Sequence, residues 1–140
     1  MSSPTRPDQP LRILIVEDEA LLALQMEGAL ADGGHEVVGL ADTPDEAVAL
    51  ADRARPQLAL VDIQLHGRRV GVELALELGR HGVPCLFATG NCPEEGGRDA
   101  ALGCLHKPFA DRTLREAVEV ARSLLGGHEP AFVPLGLHLY

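Results

Sequence analysis

The sequence predicts an α/β domain: a parallel sheet covered by helices on both faces. Short apolar runs alternate with stretches of helical period through the whole chain, which is the signature of βα units. The runs are continuous rather than alternating in polarity, as expected of strands buried on both faces. The length of 140 residues, with 46% hydrophobic and 24% charged residues, suits one domain with an ordinary core.

Met1 to Pro10 carries three prolines with Ser, Thr and Gln, and is expected to be a mobile leader. Leu11 to Val16 is the first strand. Ala20 to Leu30 follows as a helix with Leu22, Met26, Ala29 and Leu30 on one face, stopped by Gly33-Gly34. Glu36 to Leu40 is the second strand. Thr43-Pro44-Asp45-Glu46 reads as a capping box with proline at the first helical position, and Ala47, Leu50, Ala51 and Ala54 form the apolar stripe behind it. Gln57 to Val61 is the third strand, and Val70 to Arg80 the third helix, with Leu74, Ala75 and Leu78 inward. Val83 to Thr89 and Leu102 to His106 are the fourth and fifth strands. Between them Pro93, Gly96 and Gly97 oppose a helix, so 91–101 is expected to hold one or two turns at most. Thr113 to Leu125 is the last helix.

The charge balance narrows the functional classes. A net charge of −9 opposes nonspecific attraction to nucleic acid or anionic lipid. No apolar run approaches a membrane span, and the amino terminus lacks the apolar core of a signal peptide. Cys85, Cys92 and Cys104 are an odd count without framework spacing, which predicts reduced thiols in a cytoplasm. Cys85, Cys92, Cys104 and His106 match no zinc spacing.

In open parallel sheets, sites form beyond the carboxyl ends of strands. Here those ends carry Glu17-Asp18-Glu19, Asp62, Thr89-Gly90 and Lys107-Pro108. Lys107 is the single lysine beside eleven arginines, a compact ammonium where the chain otherwise writes the guanidinium fork. Two carboxylates about 4 Å apart repel by about 4 kcal/mol at an effective dielectric of 20. A divalent cation relieves that repulsion, and hard oxygen donors favour Mg²⁺ over zinc. Lys107 and the Thr89 hydroxyl then face phosphate oxygens, with Asp62 as a nucleophile toward phosphorus. The acidic triplet alone fits helix capping by Asp18 and Glu19 equally well.

Over Leu11 to Leu125 these residues resemble the receiver domain of bacterial response regulators. The resemblance rests on Ile13-Leu14-Ile15-Val16-Glu17-Asp18-Glu19, Leu60-Val61-Asp62-Ile63-Gln64-Leu65, Gly71-Val72-Glu73-Leu74, Ala88-Thr89-Gly90 and Lys107-Pro108-Phe109, in order, with 44 residues from Asp18 to Asp62. It implies a flavodoxin-like (βα)5 fold, a doubly wound five-stranded parallel sheet of order 2-1-3-4-5, here with a shortened or irregular fourth helix. It also implies that Asp62 accepts a phosphoryl group from a sensor histidine kinase or phosphotransfer protein. Asp18, Asp62, the Gln64 carbonyl and (through water) Glu17 would hold Mg²⁺. Thr89 and Lys107 would contact the phosphoryl group, and the Lys107–Pro108 peptide would be cis. Gln64 and Asn91 would flank that group and tune its lifetime, although their residue types fit ordinary loop polarity equally well.

Phe87-Ala88-Thr89-Gly90 also resembles the opening of the FAT GUY motif of single-domain regulators, although Asn91 and Cys92 stand where a hydrophobic residue and a tyrosine would follow. Cys104 replaces the aromatic that receivers carry three positions before the lysine. The expected switch is therefore ordering of the Gly90 to Ala101 loop on phosphorylation.

The resulting expectation is a cytoplasmic stand-alone receiver, spanning 11–126, in histidine kinase to aspartate signalling. It would act through an unidentified downstream protein or as a phosphate sink, as a monomer or weak dimer, without nucleic-acid or membrane partners. It would not be an enzyme beyond its own Mg²⁺-dependent phosphorylation and dephosphorylation. The alternative is a constitutive receiver-like interaction module that is not phosphorylated. Arg68 and Arg69 read as a solvated pair, and His66, where many receivers have proline, carries no assigned role. The tail 127–140 alternates Val133, Leu135, Leu137 and Leu139 with Pro134, Gly136 and His138. That period of two is strand-like, and the tail is expected to pack on its own domain or dock on a partner rather than form an output domain.

Overall fold

A computed structural model describes residues 9–93 and 97–140. Most of the expected leader, 1–8, and part of the expected switch loop, 94–96, lie outside the described residues. The elements are β1 (Arg12–Val16), α1 (Ala20–Asp32), β2 (Glu36–Ala41), α2 (Pro44–Ala54), β3 (Leu58–Val61), β4 (Gln64–Leu65), β5 (Arg68–Arg69), α3 (Gly71–Arg80), β6 (Cys85–Thr89), β7 (Gly103–His106), α4 (Asp111–Leu125) and β8 (Leu137–Leu139).

The main sheet has the order β2-β1-β3-β6-β7-β8. Its first five strands are parallel and follow the expected 2-1-3-4-5 order. The sixth is the tail, antiparallel on β7, with Cys104 opposite His138 and Leu105 opposite Leu137.

Successive strand residues point to opposite faces, which gives the sheet two cores. Ile13, Ile15, Leu58, Leu60, Leu86 and Leu105 pack with Met26 and Leu30 of α1 and with Leu114 and Val118 of α4. Their strand neighbours Leu14, Val16, Ala59, Val61, Phe87 and Cys104 pack with Ala47 and Ala51 of α2 and with Leu74 and Leu78 of α3. Each fully buried Leu or Ile contributes about 1.5–3 kcal/mol. Two-sided burial therefore fixes the register and, with it, which residue stands at each strand end. The α2 start is as read: Thr43 Oγ1 accepts from Glu46 N at 3.2 Å, with Pro44 at the first helical position.

Between β6 and β7 the described residues contain no helix, only a turn in which the Gly97 carbonyl accepts from the N–H groups of Ala100 and Ala101. The tail covers this region. The Tyr140 ring lies where a Cβ on Gly97 would be, at 2.5 Å, and its hydroxyl donates to the Pro93 carbonyl at 3.2 Å.

One expectation is corrected. Cys92 and Cys104 are joined in a disulfide, with Cα atoms 5.9 Å apart; only Cys85 is a free thiol. Spacing along the chain does not reveal this pairing, because the two cysteines meet through the sheet: β7 lies beside β6, so Cys104 sits next to Phe87 in register and the chain after Thr89 folds back over it.

Candidate functional site

Four parallel strands deliver their following residues to one sheet edge. β1 leads into Glu17 and Asp18, β3 into Asp62, β6 ends at Thr89 and β7 precedes Lys107. A cavity of about 240 Å³ at this edge is lined by these residues together with Glu19, Gln64, Gly67, Gly90 and Asn91. The structure thus brings together every residue selected from the sequence for the site except Cys104, which lies beneath it in the sheet, and Pro108.

The Lys107 Nζ donates to Glu17 Oε1 at 2.6 Å and to Asp62 Oδ2 at 2.8 Å. Glu17 and Asp62 are almost fully buried, and Thr89 is completely so. The other Asp62 oxygen, Oδ1, accepts from the Gln64 N–H at 3.2 Å. Glu17 Oε2 accepts from the Glu19 N–H at 2.9 Å. The Asp18 Oδ2 accepts from the His66 N–H at 2.7 Å. Across the mouth, the Asn91 N–H donates to Thr89 Oγ1 at 3.2 Å, and Asn91 Nδ2 donates to Gln64 Oε1 at 3.3 Å. The Lys107–Pro108 peptide is cis, and the Lys107 N–H donates to the Thr89 carbonyl at 2.9 Å, tying the two strand ends together.

The proton affinities follow from this packing. Burial raises Glu17 above its ordinary value of 4.5, and the hydrogen bonds from Lys107 and Glu19 only partly offset it. For Asp18 burial also pushes upward, but the His66 N–H and the remaining hydrogen bonds outweigh it, and the net shift is downward. Burial pulls Lys107 downward as well; its hydrogen bonds to Asp62 and Glu17 prevail and raise it above 10.5. The two ends of the ion pair therefore respond unequally, because Lys107 gains two acceptors whereas Glu17 is dominated by loss of water.

Glu17, Asp18 and Asp62 each offer a carboxylate oxygen, all within 4.8 Å of one another. Three carboxylates and one ammonium leave a formal charge of −2, and the donors are hard oxygens. Both features fit Mg²⁺, which receiver domains bind in such an acidic pocket.

Two positioning features escaped sequence reasoning. Residues 64–69 form a hairpin, β4 with β5, turning at His66 and Gly67, both with positive φ (52° and 75°). This turn aims the His66 N–H at Asp18, a contact of the main chain that residue type does not advertise. Gly71 begins α3 directly against the Asp62 loop: a Cβ there would lie 2.4 Å from Ile63 Cα and 2.5 Å from the Asp62 carbonyl oxygen. Its position in the Gly71-Val72-Glu73-Leu74 match was the available signal.

Comparison with known proteins agrees with this geometry. A profile of the response regulator receiver domain matches residues 13–119, and the chain belongs to that family, whose members act in two-component signalling. Over 119 residues it is 37% identical to the transcriptional regulatory protein PdtaR of Mycobacterium tuberculosis, covering 81% of this chain and 58% of that protein. It is 35% identical to the phyllosphere-induced regulator PhyR of Methylorubrum extorquens, covering 81% and 44% respectively. The chain thus spans about half the length of these curated relatives. Among solved structures, the receiver domain of a modulated diguanylate cyclase from Desulfovibrio desulfuricans superposes with a TM-score of 0.73 at 36% identity, covering 84% of this chain and 97% of that one. The PhyR receiver domain of Erythrobacter litoralis gives 0.71 at 28% identity, covering 91% and 98%. Among the described residues no helix is long and apolar enough to cross a membrane.

Proposed function

We propose that this receiver accepts a phosphoryl group on Asp62 from a phosphohistidine donor in a kinase or phosphotransfer protein, and signals through protein contacts or serves as a phosphate sink in the cytoplasm. The observation that carries the reading is the Lys107 ammonium bridging Asp62 and Glu17 inside a cluster of three carboxylates. A lysine placed there neutralises charge at the reacting oxygen and remains beside it as the phosphoryl group arrives.

Glu17, Asp18, Asp62 and the Gln64 carbonyl are the groups we assign to Mg²⁺, which when bound supplies charge neutralisation for phosphoryl oxygens. An Asp62 oxygen attacks phosphorus, the phosphorus–nitrogen bond of the donor breaks, and the imidazole leaves with the bonding pair and takes up a proton. Thr89 and Lys107 then hold phosphoryl oxygens, with Gln64 and Asn91 flanking the acyl phosphate and setting water's access to it. Hydrolysis returns Asp62 and inorganic phosphate.

The test is incubation with Mg²⁺ and acetyl phosphate, followed by intact mass measurement. One phosphate is expected on the wild type and none on Asp62→Asn. An adduct retained in Asp62→Asn would defeat the assignment, and no adduct from acetyl phosphate or any phosphohistidine donor would favour a constitutive interaction module.

A further inference from the structure

The disulfide ties together the two chain segments that carry the phosphate-side groups. Cys92 lies three residues after Thr89, and Cys104 three residues before Lys107. Thr89 pairs with His106 and Phe87 with Cys104 across the β6–β7 ladder. The bridge therefore closes a small frame whose other side is the site wall, where Asn91 reaches Thr89 and Gln64. Cys92 cannot move away from β7 while the bond exists, and Asn91 is its neighbour. The two sulfurs are also unequal in access, with Cys92 half-buried and Cys104 fully buried. The third thiol is separate: burial pushes Cys85 up to about 12, which keeps it protonated and slow to exchange.

We propose that Cys92 and Cys104 form a reversible redox site, whose disulfide holds the loop after Thr89 against β7 and whose dithiol form releases it. Resting on the Asp62 reading, redox state then sets how far the Thr89–Asn91 wall responds to phosphorylation. The reductant is a dithiol of the thioredoxin class. Its thiolate attacks the accessible Cys92 sulfur, the Cys92–Cys104 bond breaks, and Cys104 leaves as a thiolate that takes a proton. The second thiol of the reductant resolves the mixed disulfide and frees Cys92, so two electrons and two protons pass to the receiver while the reductant becomes a disulfide. Exchange with a glutathione-type disulfide reverses the change. Disulfides that form in reducing compartments are characteristically redox-sensing, and this one is coupled to the site by position.

The whole chain is equilibrated in oxidised or reduced glutathione, or with dithiothreitol, alkylated, and weighed intact. With alkylation carried out in denaturant, three alkyl groups are expected on the reduced protein and one, on Cys85, on the oxidised protein. Amide exchange is then followed with and without Mg²⁺ and acetyl phosphate. Amides of 89–92 are expected to exchange about tenfold faster when reduced, with a phosphorylation-dependent change there in the reduced form alone. Cys92→Ser should behave as reduced in both buffers. Alkylation of Cys92 and Cys104 after oxidation, or identical exchange in oxidised, reduced and Cys92→Ser proteins, would overturn the proposal. A phosphate-dependent change of equal size in both redox states would overturn it as well. If no phosphate is taken up in either state while alkylation and exchange still follow redox, the Asp62 reading fails and the redox site stands.

Discussion

On one side of the site, the ends of β1 and β3 hold Glu17, Asp18 and Asp62 through regular structure: two adjacent parallel strands, a tight hairpin at 64–69 and the start of α3. On the other side, the ends of β6 and β7 hold Thr89 and Lys107 with no intervening helix among the described residues. There the chain is secured by a disulfide and by a tail arriving from residues 137–140. The first side is held by main-chain hydrogen bonding between regular elements, and the second by a side-chain cross-link and a returning tail. Perturbations can therefore separate carboxylate geometry from the phosphate-facing wall.

Removal of 128–140 should give the largest effect. It uncovers the β7 edge and removes Leu137, Leu139 and Tyr140, which pack against the two cores. At about 1.5–3 kcal/mol per fully buried large side chain, and less for the partly exposed ones, the loss should be about 4 kcal/mol. A urea titration measures it. Exchange protection should fall at 103–107 while Mg²⁺ binding stays within a few-fold; an unchanged urea midpoint would show that the tail does not support this side.

Gly71→Ala should act on the other side. The added Cβ meets the backbone of Asp62 and Ile63, which cannot yield as a side-chain tip can. Overpacking of this kind costs about 1–3 kcal/mol, and it should weaken Mg²⁺ binding by displacing Asp62. Full Mg²⁺ affinity in a destabilised Gly71→Ala protein would mean that the helix start gives way and not the carboxylate.

Parallel strands buried on both faces leave continuous apolar runs, so β1, β3, β6 and β7 were readable, and the strand-end rule then put Glu17, Asp18, Asp62, Thr89 and Lys107 together. These five residues were legible because each stands at or just after the end of a strand whose own pattern reveals it. The Cys92–Cys104 bond and the seat of Tyr140 on Gly97 depend on strand adjacency and on a tail returning across the sheet, which no local pattern encodes. The His66 contact was hidden for another reason: it is made by a main-chain N–H, and the side chain is incidental to it.

A smaller effect comes from pH. Burial holds Glu17 above 4.5, so between 4.5 and its folded value the folded protein binds more protons than the unfolded chain, and stability from this group falls as pH rises through that window. Asp18 has the opposite sign: its contribution is present above 3.8 and is lost as pH falls through its lowered folded value. In Mg²⁺-free buffer, thermal melts should show a Glu17-dependent decline above pH 4.5. Glu17→Gln should remove that decline, and saturating Mg²⁺ should reduce it by compensating the ionised carboxylate. A decline that persists in Glu17→Gln would assign it to another group.

The smallest change in stability should come from Asn91→Ala, and that makes it informative about the wall. Its side chain is exposed and makes one hydrogen bond to another side chain, at 3.3 Å to Gln64 Oε1. Surface substitutions of this kind stay within about 0.5 kcal/mol, and the disulfide one residue further on still fixes the backbone. If Asn91 and Gln64 together limit water at the acyl phosphate, Asn91→Ala and Gln64→Ala should each alter the decay rate of the phosphorylated protein several-fold. The double variant should then change by less than the product of the two, because each removes the same contact. Decay followed by intact mass measures all four proteins. Multiplicative effects would show two residues acting separately, whereas four equal lifetimes would remove this bridge from control of hydrolysis and leave that role to Thr89 and Lys107.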